Sequence, residues 1–319
     1  MKLKKIQQIN YKYGDEERIK KILNQSKQPL LIKIENFTDK FSIDYFKQIY
    51  NGATIEAAYD VFENYRFVSH HVDNFSNILS KIKENKSYRV FGKFLSQHDS
   101  AEIERHVPLW QSIPLRPRYF DKRIKVSYYF GGAGSITDLH FDREHCCNLH
   151  LCLSGKKQLL LFTEDQSDNL YKIPYIGDSL IDFSQPMEVL QKQYPKIKKL
   201  IGYKVELERG DMLFMPRNCW HYTRYLDASA SATYTFYPRK FWQFYGYFTG
   251  YFFGGYRAWG GFGISDWPSF KYFSQAYAFA TGKKKVVYKS IEFISYIFLL
   301  PLISISSIIS YKRRKRSYF

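Results

Sequence analysis

His140-Phe141-Asp142 and, 79 residues further on, His221 constrain this chain more than any other feature. Side chains alternate sides along an extended strand, so positions 140 and 142 point the same way and can grip one metal ion. Two histidines and one carboxylate hold one face of an ion such as iron(II) and leave the opposite face open for chemistry. The second histidine must then arrive on a distant strand. A fold that meets this demand pairs strands far apart in sequence, as sandwiches and barrels do.

The stretch from Tyr88 to Pro238 has that character. Short apolar runs are separated by turn signals such as Gly131-Gly-Ala-Gly134, Ser154-Gly155 and Arg209-Gly-Asp211, the spacing of a sandwich or barrel. Asn148-Leu-His-Leu-Cys-Leu153 alternates strictly. It predicts leucines packed on one face, with Asn148, His150 and Cys152 on the other. For His150 this favours a hydrogen-bonded core histidine over a substrate contact. Upstream, residues 1–28 form a polar segment with a helical pattern over 16–23, Pro29-Leu-Leu-Ile-Lys-Ile34 reads as a buried strand, and 42–51 and 74–84 read as helices. Hydrophobic content of 45% over 319 residues suffices for one large β domain with extensions, or for two ordinary domains.

After Pro238 the composition shifts. Residues 241–256 carry no charge, and Gly246, Gly250 and Gly254 recur every four residues. On a helix they form a smooth face suited to close packing, within the chain or in a homodimer. Residues 293–310 form a second uncharged run, rich in Ile, Leu and Phe and long enough to cross a bilayer. Lysines precede it at 283–285 and 289, and Lys312-Arg-Arg-Lys-Arg316 follows it. Basic flanks of this kind fit anionic lipid headgroups. The formal charge is 48 − 30 = +18, and residues 283–319 supply nine Lys/Arg against the single acid Glu292. The tail thus explains nearly half of the positive charge, and this points to membrane lipids before nucleic acid as the polyanion. The segments are accordingly 1–28, a catalytic domain at 29–240, an aromatic and Gly-rich helical region at 241–290, a membrane-inserted helix at 291–311 and a basic tail at 312–319. Four cysteines without paired CxxC spacing indicate neither a zinc site nor a disulfide framework, and the N-terminus lacks an apolar secretory region. The expected location is a membrane, with the catalytic domain facing the cytosol.

Five motifs recur in a familiar order: Pro29-Leu-Leu-Ile-Lys, Gly134-Ser-Ile-Thr-Asp-Leu-His-Phe-Asp142, Asn148 with Gly155-Lys-Lys157, Asp182-Phe-Ser-Gln-Pro186, and Gly210-Asp-Met-Leu-Phe-Met-Pro with Trp220-His221. Over roughly residues 28–238 the chain resembles the JmjC/cupin-8 group of 2-oxoglutarate-dependent oxygenases, and is most similar to protein hydroxylases of the factor-inhibiting-HIF type. The resemblance implies a mainly β fold, a double-stranded β-helix with N-terminal helices, carrying Fe(II) on His140, Asp142 and His221. It implies 2-oxoglutarate as cosubstrate, with Lys157 and Thr137 on its distal carboxylate and Asn148 nearby. A buried ammonium on a leucine-rich strand needs an anion, which fits Lys157 independently. Strict alternation would set Thr137 and His140 on opposite faces, so Thr137 rests on the resemblance alone. Tyr128 and Tyr129 are the candidates for the tyrosine that helps hold the cosubstrate in the family. Thr235 stands where a compared family member has asparagine. His145 and the Cys146-Cys147 pair read as a surface loop in preference to the lining of the site entrance.

These observations favour an oxygenase that hydroxylates a protein or peptide side chain, with succinate and CO2 as coproducts. Demethylation of N-methyl lysine and hydroxylation of a tRNA base would use the same core. An inert jelly-roll binding module at a membrane, or a non-oxidative metal-dependent cupin, would not need the metal triad together with Lys157 and Thr137.

Overall fold

The computed structural model describes residues 1–49, 55–62, 66–93, 95–113, 126–142, 145–174, 177–237, 268–295 and 298. Among them two sheets organise the chain. The smaller runs β1 (Lys2–Lys4), β11 (Ile201–Leu207), β10 (Lys157–Phe162), β13 (Trp220–Tyr225), β8 (Ile136–His140). The larger runs β2 (Gln7–Tyr11), β3 (Leu30–Ile34), β12 (Asp211–Met215), β9 (Cys147–Ser154), β14 (Ser229–Phe236), β7 (Val126–Gly131), β6 (Tyr88–Lys93), β4 (Ile55–Phe62), β5 (Arg66–Asn74). At the centre of each lies an antiparallel quartet, β11-β10-β13-β8 and β12-β9-β14-β7. From β7 to β14 each strand switches to the other quartet, except that β10 and β11 are neighbours in the smaller one, which is the topology of a double-stranded β-helix.

Alternation along the strands separates an interior from two outer faces. Leu149, Leu151 and Leu153 of β9 join the largest apolar cluster, which is completed by helices laid over the large sheet. These are α1 (Glu16–Gln25), α2 (Ile43–Ile49), α3 (Phe75–Lys83), α4 (Gln97–Glu104) and α5 (Pro108–Ser112). Asn74 starts α3 by accepting a hydrogen bond from the Ser76 amide at 2.9 Å. On the other side, Phe162, Trp220 and Tyr222 of the small sheet pack with Leu190 of α6 (Met187–Gln193) and Ala278 of α7 (Pro268–Phe279). Between the sheets a smaller cluster of Cys152, Leu159, Leu161, Val205 and Leu213 seals part of the interior. Polar side chains occupy much of the rest.

The expected helices and the strand at Pro29 are found within a few residues of their forecast positions. The polar N-terminal segment holds a surprise. It adds β1 in parallel to β11 and β2 in parallel to β3, so it extends both sheets. The Lys2-Leu3-Lys4 alternation of β1 and the polar, largely exposed β2 are those of edge strands, which bury little and therefore announce themselves weakly. The Gly246/Gly250/Gly254 face lies outside the described residues, as does most of the 291–311 segment. Among the described residues no helix is long and apolar enough to cross a membrane.

The β9–β10 hairpin depends on Gly155, whose φ of +73° suits glycine. A Cβ there would overlap the Ala228 carbonyl oxygen and approach the Ser229 Cα to 2.7 Å. Gly155→Ala is expected to destabilise the fold by more than about 2 kcal/mol, the left-handed cost plus the overlap. The check is a lowered urea midpoint at an unchanged denaturant slope.

Candidate metal and anion site

Strand register brings the distant histidines together. His140 of β8 lies directly opposite His221 of β13, with ring centroids 4.2 Å apart. Their neighbours fix the direction. Phe141 packs edge-on against Trp220 at 4.8 Å on the outer side, and Trp220 Nε1 donates to Ser167 Oγ at 2.9 Å. With these two rings facing out, residues 140 and 221 face in. Asp142 joins them, and one ligand atom from each of the three residues lies within 4.8 Å of the other two.

The hydrogen bonds around the triad show which atoms remain for a ligand. His140 Nδ1 donates to the Asp138 carbonyl at 2.7 Å, and His221 Nδ1 to the Cys219 carbonyl at 3.1 Å. Each bond places the proton on Nδ1 and leaves the Nε2 lone pair free, as metal-binding histidines require. Burial, and then neighbouring His140, pull the His221 imidazole down to about 4, which keeps it neutral. One oxygen of Asp142 is engaged by Asn148 Nδ2, and its other oxygen lies 3.8 Å from His140 Nε2. Asn148 is oriented in turn, because its Oδ1 accepts from Thr235 Oγ1 at 2.9 Å. The donor set of two imidazoles with Nε2 free and one braced carboxylate fits a divalent iron ion.

Deeper in the interior, Lys157 is fully buried. Its Nζ donates to Ser231 Oγ at 2.5 Å and to His150 Nε2 at 3.1 Å, and lies 4.5 Å from the centre of the Tyr225 ring. His150 Nδ1 donates to Thr233 Oγ1 at 2.7 Å. Burial pushes the Lys157 ammonium down to about 8 and holds His150 well below its ordinary value. Among the described contacts no carboxylate neutralises Lys157. A charged group buried so completely suits an anion brought in from outside. Lys157 pairs with Tyr225 and Leu161 pairs with His221, so the lysine sits four residues, about 13 Å of strand, from the level of the histidines. A lysine side chain and a short dicarboxylate can bridge that span.

Thr137 is where alternation and resemblance disagreed. The pairing shifts between His140↔His221 and Thr137↔Thr223, so three steps on β8 face two on β13. This bulge returns Thr137 to the face of His140. Its Oγ1 accepts a hydrogen bond from Arg89 at 3.0 Å. Arg89 pairs with Gly131 on β6–β7 and also bonds the Ile136 carbonyl, and it was not foreseen from sequence. Nor were Ser231, Thr233 and Tyr225. A signal existed for the first two: Ser229-Ala-Ser-Ala-Thr-Tyr-Thr-Phe236 alternates small hydroxyls with apolar residues along its length.

Several expectations change. Tyr128 packs in the outer core, its hydroxyl 3.1 Å from Ser100 Oγ, whereas the Tyr129 ring lies 6.0 Å from that of His150. The Cys146-Cys147 pair is no surface loop, because both thiols are buried. Cys146 Sγ lies 3.9 Å from Asp142 Oδ2, beside the triad. His145 is no free loop residue either, its ring 5.4 Å from that of Phe141 and its Nδ1 2.6 Å from Asn218 Oδ1. Burial raises the thiols of Cys147 to about 12 and Cys152 to about 11, and raises Cys219 further, so none of the three is a thiolate.

Comparison with known proteins adds a second line. Residues 17–242 match the family described as "Cupin-like domain". The chain is 31% identical over 172 residues to "Lysine-specific demethylase JMJ30" of Arabidopsis thaliana, covering 50% of this chain and 37% of that protein. It is 28% identical over 171 residues to "Jumonji C domain-containing protein 5" of Drosophila melanogaster, covering 48% and 41%. It is 33% identical over 101 residues to "HSPB1-associated protein 1" of Rattus norvegicus, covering 31% and 21%. The chain therefore matches well under half the length of these curated relatives.

Two outcomes test the site. Asn148→Ala should weaken binding of a divalent metal by about 10–100-fold without unfolding the domain, as titration calorimetry and circular dichroism would show. Because burial holds Lys157 near pKa 8, anion affinity should be full below that pH. Above it, affinity should fall by about tenfold per pH unit as the ammonium deprotonates. Binding of 2-oxoglutarate to metal-loaded protein reads this, and Lys157→Met should abolish the slope.

Proposed function

Because this chain belongs to the cupin-like, JmjC-type family of iron(II) and 2-oxoglutarate oxygenases, we propose that it hydroxylates a side chain of a protein or peptide. The observation that carries this reading is the juxtaposition of two elements in one interior: the His140–Asp142–His221 triad with its Nε2 atoms free, and the fully buried Lys157. An inert binding module has no use for both.

Iron would be held by His140, Asp142 and His221, and supplies, with 2-oxoglutarate and O2, the oxidation of a substrate C–H to C–OH with succinate and CO2 released. The chain's own residues do the rest. Lys157 and Ser231 receive the distal carboxylate of the cosubstrate, and Arg89 orients Thr137 beside them. Thr235 and Asn148 hold Asp142 in place, so the ligand does not have to be reorganised when metal enters. The apolar cluster of Leu159, Leu161 and Leu213 keeps water from that end of the interior.

A second reading has one observation in its favour: the Arabidopsis relative is named a lysine-specific demethylase. Hydroxylation of an N-methyl carbon, followed by loss of formaldehyde, would use the same residues. The name of the rat relative denotes association with another protein, which supports a protein partner over a nucleic acid. We extend the proposal to location. Residues 291–311 attach the chain to a membrane, supported by the uncharged run 293–310 and its basic flanks, with the catalytic domain on the cytosolic side.

Anaerobic addition of Fe(II) and 2-oxoglutarate should produce a visible metal-to-ligand absorption band, and admission of O2 should yield iron-dependent succinate. Absence of both would overturn the oxygenase reading. Asp142→Ala should abolish turnover. Lys157→Met should raise the KM for 2-oxoglutarate about 10–100-fold, the loss of a charge-assisted contact. Mass spectrometry of a captured substrate separates the readings: one added oxygen marks hydroxylation, and loss of CH2 marks demethylation.

A further inference from the structure

The helix formed by residues 282–295, here α8, is built inside out. Surface helices bury apolar residues and expose charges, and Lys and Glu are almost never fully buried unless paired. Here Lys285 and Glu292 are only 6% and 8% exposed, whereas Val286, Phe293 and the following Phe298 are 64%, 69% and 77% exposed. Positions 286, 287, 291, 294 and 298 follow helical spacing and share one face, with Phe293 at its edge.

The inward face is pinned by charge. Glu292 accepts from Tyr277 at 2.6 Å and from Lys172 at 3.0 Å. Lys285 donates to the Tyr277 carbonyl at 2.8 Å, and Lys289 reaches Asp168 at 2.7 Å. These contacts hold α8 by α7 and by the segment around Lys172. That segment pairs with Ser179, and neighbouring Asp178 pairs with His140. The orientation is therefore set by specific partners, and rotating the apolar face inward would break all of them.

We propose that the outer face of α8 lies on the surface of an anionic lipid bilayer, parallel to it, and seats the catalytic body there. This deepens the membrane attachment proposed above and rests on it. A lipid surface is favoured by three observations. Exposed Lys283 and Lys284 stand at the start of the same helix, where phosphate headgroups would meet them. The sequence continues without a charge from 293 to 310 and closes on Lys312-Arg-Arg-Lys-Arg316. A second copy of the chain, itself of formal charge +18, would instead meet this basic region with charge of the same sign.

All four native cysteines are buried, so a single introduced cysteine can be labelled selectively. An environment-sensitive dye on Val287→Cys or Ile294→Cys in the full chain should brighten and shift blue with vesicles containing phosphatidylserine. The same dye on exposed Glu17→Cys, on the opposite helical layer, should not change. A Val287→Asp/Ile294→Asp variant should partition at least tenfold less and still produce iron-dependent succinate. If the protein floats with vesicles while both α8 probes stay unchanged, the tail anchors the chain and this inference fails. A shift that grows with protein concentration in the absence of lipid assigns the face to a second copy and also overturns it. If nothing floats, membrane attachment falls altogether.

Discussion

The pairing of β8 with β13 is the constraint on which the site depends. One register sets His140 opposite His221, and the bulge beside it turns Thr137 to the same side. The next strand over continues the pattern, because Leu161 opposes His221 and Lys157 opposes Tyr225. A slip of one residue would send every one of these side chains to the outer face. The outer face guards against that slip. Phe141, Trp220 and Phe162 are buried in the cluster on that side, and exposing them would cost several kcal/mol.

Within this frame the polar interior is organised as two linked halves. At the triad, backbone carbonyls fix the histidine protons and a Thr235–Asn148 relay fixes the carboxylate. Deeper in, Lys157 sits among Ser231, His150 and Tyr225 with its charge weakened by burial. A buried ammonium held by neutral partners is a poor contributor to stability and a good receptor for a carboxylate. On the proposed function the pocket is preorganised for an anion, at some expense to the fold.

Much of this was legible in the sequence. The alternation of Asn148 to Leu153 foretold which side chains meet the outer core, and it was right for the leucines and for Cys152. It also placed His150 as a hydrogen-bonded interior residue, which it is. Local reasoning failed where the deciding contact was not local. His145 read as a loop residue because its partner Asn218 stands 73 residues away in the chain. Arg89 carried no motif, and it matters only because β6 runs beside β7. The 1–28 segment read as polar with one helix, and its two strands went unread because parallel edge pairing leaves little apolar signature.

The sequence by itself determined the residue types of the triad, the strand periodicity that aims them, and the charge and apolar runs of the tail. These properties are set by the order of residues along one strand or helix. Only the tertiary structure decided that Thr137 shares a face with His140, since a bulge belongs to two strands together. It alone decided that Asn148 braces Asp142 with Thr235 behind it. It also decided which face of residues 282–295 turns outward. Hydrophobicity would have buried the valines and phenylalanines, and the ion pairs of Lys285, Lys289 and Glu292 with distant partners turned the helix the other way.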